Sequence, residues 1–104
     1  MQMRVLNNST EEFYRLWLGV GGKYDITAFG PLDASEVSAY KDVPSDYYGY
    51  GYVDVTLAAT MDRLPLIIVP APEEGGPVFS LDGKYTLTYE QASDGQWQVR
   101  FQED

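Results

Sequence analysis

Ser9-Thr10-Glu11-Glu12-Phe13-Tyr14-Arg15-Leu16-Trp17-Leu18-Gly19-Val20-Gly21-Gly22 is the stretch on which the fold class turns. Ser9 and Glu12 have capping-box spacing, in which each side chain satisfies a backbone donor left open at a helix start. Phe13, Leu16, Trp17 and Val20 then recur at i, i+3, i+4 and i+7, which places them on one helical face with Glu11, Glu12 and Arg15 away from it. Gly19, Gly21 and Gly22 supply residues that readily take the left-handed conformation at a helix C-terminus. The pattern predicts an amphipathic helix, the principal one of the chain.

Upstream, Met3 and Val5 alternate with Arg4 as an entry strand does. Downstream, Lys23 to Phe29 reads as a strand closed by Gly30-Pro31. Asp33 and Glu36 repeat the capping spacing ahead of Val37 and Tyr40, so a short second helix is expected before Pro44. From Tyr50 to Ala59 the period is two, with Val53, Val55, Leu57 and Ala59 on one face and Tyr52, Asp54 and Thr56 on the other. Leu64 to Val69 reads as a buried strand, and residues 70–77 as a loop. Val78 to Leu81 and Lys84 to Glu90 flank Asp82-Gly83, a hairpin signal, and Asp94-Gly95 leads into a last strand whose Trp97, Val99 and Phe101 should face the core. These elements predict a single compact α+β domain over residues 1–104. Its sheet is mostly antiparallel, with one or two helices packed on one face and a C-terminal β-meander.

Composition limits the chemistry. Sixteen Asp and Glu against seven Lys and Arg leave a formal charge of −9, and the 104 residues include neither His nor Cys. Ser-His-Asp and Cys-His nucleophile systems are therefore excluded, as are disulfides and thiolate metal sites. Hydrophobic residues make up 44 % of the chain, enough for a core, so the acidity is not that of a disordered tail. Neither a signal-peptide core nor a membrane span is present in the sequence, and a cytoplasmic protein is expected, in the host cytoplasm if the chain is viral. The negative field and the missing basic patch argue against direct contact with nucleic acid or a membrane.

Asp33 with Glu36, and Asp42 with Asp46, are spaced so that two carboxylates could share one side of a helix or turn, as a general acid and base would. Capping of backbone donors explains the same positions. No Asp run matches an EF-hand loop, so no metal is expected. Gly19-Val20-Gly21-Gly22-Lys23 resembles a phosphate loop only superficially, because a hydroxyl residue after the Lys and the upstream spacing are both missing. Tyr85, Tyr89, Trp97 and Phe101 could form a sugar-stacking platform, but their alternation with polar residues fits a core face better.

Asp42-Val43-Pro44-Ser45-Asp46-Tyr47-Tyr48-Gly49-Tyr50-Gly51-Tyr52-Val53-Asp54 is the functionally suggestive segment. Tyr offers apolar contact area at low rotamer cost and keeps a polar tip, which suits an interface. We therefore expect a partner-binding surface in which Asp42, Asp46 and Asp54 contribute charge and Tyr47, Tyr48 and Tyr50 contribute contact area. The expected function is a small noncatalytic inhibitor, without cofactor, of a basic protein or nucleoprotein complex that handles nucleic acid. Phage anti-defence proteins, anti-CRISPR-like ones among them, and nucleic-acid mimics share this physical profile, and the parallel is one of physics alone. A structural protein that oligomerises through sheet edges and Tyr contacts is the alternative, and a carboxylate enzyme the third.

Overall fold

A computed structural model describes residues 1–19, 26–43, 51–80 and 82–104. Among them eight strands form: β1 (Gln2–Asn8), β2 (Phe13–Gly19), β3 (Ile26–Phe29), β4 (Lys41–Asp42), β5 (Gly51–Leu57), β6 (Ile67–Val69), β7 (Lys84–Gln91) and β8 (Trp97–Glu103). They make two four-stranded sheets, ordered β4-β1-β7-β8 and β3-β2-β5-β6. The one helical element among the described residues is a single 3₁₀ turn at Pro72–Glu74. The expected α+β architecture is thus corrected to a β-sandwich. No helix among the described residues covers either sheet.

The first helix fails for a local reason. Residues 13–19 of it form β2, while Val20, Gly21 and Gly22 lie outside the described residues, and a β-bulge between Phe13 and Arg15 adds one residue to the strand, so the buried positions become Phe13, Leu16 and Leu18. A spacing of three followed by two imitates the start of a helical stripe. Trp17 belongs to the opposite face, where it pairs across to Ala28 and Asp54 and is covered by the Arg15 guanidinium, 4.0 Å from its ring centre. Gly19 is no helix cap but a strand residue beneath the Tyr52 ring, and a Cβ there would lie 2.3 Å from a ring carbon. Ser9 closes a turn instead of starting a helix: its hydroxyl accepts the Glu11 N–H at 3.2 Å and donates to the Asn7 carboxamide oxygen at 2.6 Å.

The second expected helix is also absent. The Asp33 N–H donates to the Glu36 carboxylate at 2.9 Å and the Glu36 N–H to the Asp33 carbonyl at 3.0 Å, which closes one turn with Ser35 left-handed. Val37 then bridges Leu6, and the chain follows the edge of β1 to β4. Two strand expectations are shortened. Leu64 to Val69 contracts to the three-residue edge strand β6, with Leu66 and Ile68 half exposed, because Pro65 and Pro70 lack the N–H a longer ladder needs. Val78, Phe79 and Ser80 form no strand, although Phe79 packs edge-on against Tyr85 and Phe101. The close hairpin is the one joining β7 to β8 through residues 92–96, in the register Tyr85↔Glu103 to Gln91↔Trp97.

Inside the sandwich, Met3 and Val5 of β1 and Tyr85, Leu87 and Tyr89 of β7 face Phe13, Leu16 and Leu18 of β2, Phe29 of β3 and Val53 and Val55 of β5. Trp97, Val99 and Phe101 close the core from β8, half buried. Tyr85 and Tyr89 are therefore core residues and no sugar platform. Phe13 meets the Tyr89 ring edge-on at 5.4 Å, a contact that ties the two sheets together.

Two polar groups within this core differ in how they are satisfied. Asn7 is wholly buried, and its carboxamide nitrogen donates to the carbonyls of Glu11 (2.7 Å) and Asp33 (3.0 Å) while its oxygen accepts from Ser9. Tyr89 is equally buried, yet its hydroxyl has no hydrogen-bond partner among the described residues. Burial, and secondarily the negative charge of Asp54, holds its ionisation far above the ordinary tyrosine range.

Replacing Asn7 by Ala should lower the unfolding free energy by about 3 kcal/mol, since two carbonyls and a hydroxyl lose their partner at once. Urea denaturation with an unchanged m value is the check. Tyr89→Phe should act in the opposite sense and stabilise by about 1 kcal/mol at neutral pH, as it deletes an unpaired buried hydroxyl. Because the folded protein keeps Tyr89 protonated where the unfolded chain ionises, the wild type should lose stability as the pH rises beyond about 10. Tyr89→Phe should lose less, a difference that parallel denaturation series would reveal.

Candidate protein-binding surfaces

The anticipated binding residues fall into three groups. Asp46, Tyr47, Tyr48 and Tyr50 lie outside the described residues. Asp42 is exposed on β4, where it accepts a hydrogen bond from the Gln2 carboxamide at 3.3 Å and lines a polar recess with Asp82, Gly83 and Lys84. Asp54 stands apart from both. It is buried on the outer face of its sheet and held by Arg63 through Nη2 at 2.7 Å and Nε at 3.4 Å. Period-two patterning puts Asp54 opposite Val53 and Val55, and on that outer face the Arg63 side chain covers it. Its charge is neutralised locally and adds nothing to an exposed acidic strip.

Cations elsewhere are engaged in the same way. Arg4 bonds the Thr86 hydroxyl at 3.0 Å and lies 3.8 Å from Asp104, and its guanidinium covers one ring, Tyr40, that the Lys84 ammonium also approaches. Arg100 holds Glu90 at 2.6 Å, Arg15 covers Trp17, and Lys41 donates to the Ala28 carbonyl at 2.6 Å. Pairing with Arg100 holds the Glu90 carboxyl below its usual range, and the Tyr40 hydroxyl does the same for Asp104. Among the described residues, Asp54, Glu90 and Asp104 alone have a cation within ion-pair distance.

Many of the other carboxylates gather at one end of the sandwich. β1 and β7 run parallel, so their C-terminal ends and the turns that follow share that end. Asn7 joins the Glu11 and Asp33 segments there, the Ala58 N–H bonds the Glu12 carbonyl at 2.9 Å, and the Leu57 N–H bonds the Asp62 carbonyl at 2.9 Å. Glu11, Glu12, Asp33, Glu36 and Asp62 are brought together by this construction, with Asp94 in the adjoining β7–β8 turn. They surround the end and do not converge: among the described residues no three acidic groups are placed to hold a metal ion. The arrangement makes a field, not a chelate. Asp33 and Glu36 stand out in the sequence as a local pair, but Glu11 with Glu12, Asp62 and Asp94 come from three further turns, and no local pattern announces their meeting.

No family model matches the chain, and no curated protein matches it in sequence. Among solved structures it is similar to a protein from Eubacterium rectale determined by NMR, with a TM-score of 0.64 and 8% sequence identity over 100% of this chain and 89% of that one. At this identity the likeness concerns the fold alone. No helix among the described residues is long and apolar enough to cross a membrane.

Asp54 and Asp42 should respond oppositely to neutralisation. Asp54→Asn should destabilise the domain by about 1–2 kcal/mol by weakening a buried charge-assisted pair. Asp42→Asn should leave thermal unfolding within about 0.5 kcal/mol of wild type.

Proposed function

We propose that this chain is a noncatalytic acidic binding domain that inhibits a basic, nucleic-acid-handling protein by occupying the surface on which that protein receives phosphates. The observation that carries the reading is that, among the described residues, none of Glu11, Glu12, Asp33, Glu36, Asp62 and Asp94 has a cation within ion-pair distance, although the Arg100–Glu90 pair stands at the same end. An end bearing Glu11, Glu12, Asp33, Glu36, Asp62 and Asp94 projects its field toward a basic partner and accelerates encounter. Asp42 adds charge at the opposite end, with the neighbouring Asp46, Tyr47, Tyr48 and Tyr50 segment as the source of contact area. Neither His nor Cys is available to support nucleophilic catalysis, and the chemistry asked of the surface is complementarity alone. The proposed setting is a cytoplasm, where such a partner meets nucleic acid. Assembly through sheet edges is the second reading, favoured by the outer edge of β8, which pairs with no strand among the described residues.

Displacement tests the inhibitor reading. A nonspecific basic DNA-binding domain preloaded with a fluorescent duplex should release the duplex when this chain is added at low salt, and the effect should fade as ionic strength rises. Joint replacement of Glu11, Glu12, Asp33 and Glu36 by their amides should slow association about tenfold and flatten the salt dependence. Retention of the duplex at low salt would overturn the proposal.

A further inference from the structure

The bonds from Asp104 N–H to Lys84 O (2.9 Å) and from Ala92 N–H to Gln96 O (2.7 Å) set the phase of the β7–β8 ladder. Even-numbered residues of β8 exchange their hydrogen bonds with β7, so the N–H and C=O groups of Trp97, Val99, Phe101 and Glu103 point away from the sheet. Among the described residues no strand lies beyond them. The side chains of Trp97, Val99 and Phe101 form one wall of a groove of about 300 Å³, and Ile67, Val69 and Pro77 line it from the side of β6. Among the described residues the sandwich is open here. Its two edge strands, β6 and β8, run along the sides of a trough to which no described residue contributes an ionisable side chain.

An added antiparallel strand would set alternate residues directly opposite Trp97, Val99 and Phe101, on the inner face, and so into the trough. Those residues must be apolar. Asp94 precedes the Gly95 that lines the Trp97 end, and Glu103 lies two residues beyond Phe101 at the other end. Neither has a cation within ion-pair distance among the described residues. A segment with Lys or Arg at both ends complements that frame. A second copy of this chain does not, because each carries a net charge of −9, and full overlap of two antiparallel β8 strands sets Arg100 against its own copy.

We infer that the outer edge of β8 receives an extended segment of a partner protein, apolar at alternate positions and basic at its ends, which extends the β4-β1-β7-β8 sheet by one strand. The inference shares with the inhibitor proposal the premise of a basic protein partner and the carboxylate of Asp94, and otherwise uses a different surface.

The probe is a capped peptide of about nine residues in which Val and Thr alternate between terminal lysines. It should perturb the backbone amide resonances of β8 and bind saturably. Methylation of its alternate backbone nitrogens, which blocks the ladder on one edge, should weaken binding at least about tenfold, and so should Val99→Lys, which puts a charge into the trough. Val99→Pro gives a second test, since it removes an outward N–H and leaves the bonds to β7 in place. Replacing Glu11 and Glu12 by Gln should leave peptide affinity within about twofold, which separates this site from the acidic end. Absence of β8 perturbation up to about 1 mM peptide, or binding indifferent to N-methylation, would overturn the inference. A dimer of the chain alone that dissociates on Val99→Lys would overturn it in favour of a second copy.

Discussion

The parallel pairing of β1 with β7, from Gln2↔Lys84 to Asn8↔Glu90, is the constraint on which the rest of the molecule depends. One sheet consists of little else than the first strand and the last two, so it exists only when segments some eighty residues apart meet in a single register. Parallel neighbours need a long connection, and here that connection is the entire second sheet together with its turns. The pairing buries Met3 beside Tyr85 and Val5 beside Leu87, and a slip of one residue would turn the inward set of the slipped strand outward. It therefore also decides where the core lies.

Asn7 extends this constraint into the loops. It stands opposite Tyr89 at the end of the same ladder, where a buried side chain must find partners or lose more free energy than the position can return. Backbone carbonyls of two separate segments provide them. The acidic end of the sandwich is thus a consequence of core satisfaction: the turns come together around Asn7, and their carboxylates come with them. Like charges are held near one another by neutral backbone bonds, while described cations are engaged by Asp54, Glu90, Asp104 and the rings of Trp17 and Tyr40.

Open edges complete the picture of a domain with surfaces to offer. β6 is kept short by prolines, one of the usual ways of blunting an edge, whereas β8 runs for seven residues with neither Pro nor Lys. An edge of that length beside an apolar trough is a liability in an isolated protein unless charge repulsion keeps copies apart. A net charge of −9 serves that purpose and at the same time favours basic partners.

The sequence by itself determined the strands whose alternation is uninterrupted. β1, β5, β7 and β8 follow from period two, and so does the inward orientation of Trp97, Val99 and Phe101, because a strand bonded in regular register must show every second residue to one side. The acidity and the missing His and Cys were equally plain. Only the tertiary structure decided the state of residues 9–19. Within that stretch a single bulge rephased β2 into the imitation of a helical stripe, and Ser9 satisfied Asn7 and its own turn instead of a helix N-terminus. Capping residues announce that backbone donors need partners, but they do not say that a helix will follow. The same limit applied at Asp33 and Glu36, and at Asp54, where patterning showed the face but not the Arg63 that covers it. Which carboxylates share an end, and which edge stays open, depend on contacts between distant segments and leave no trace in local spacing.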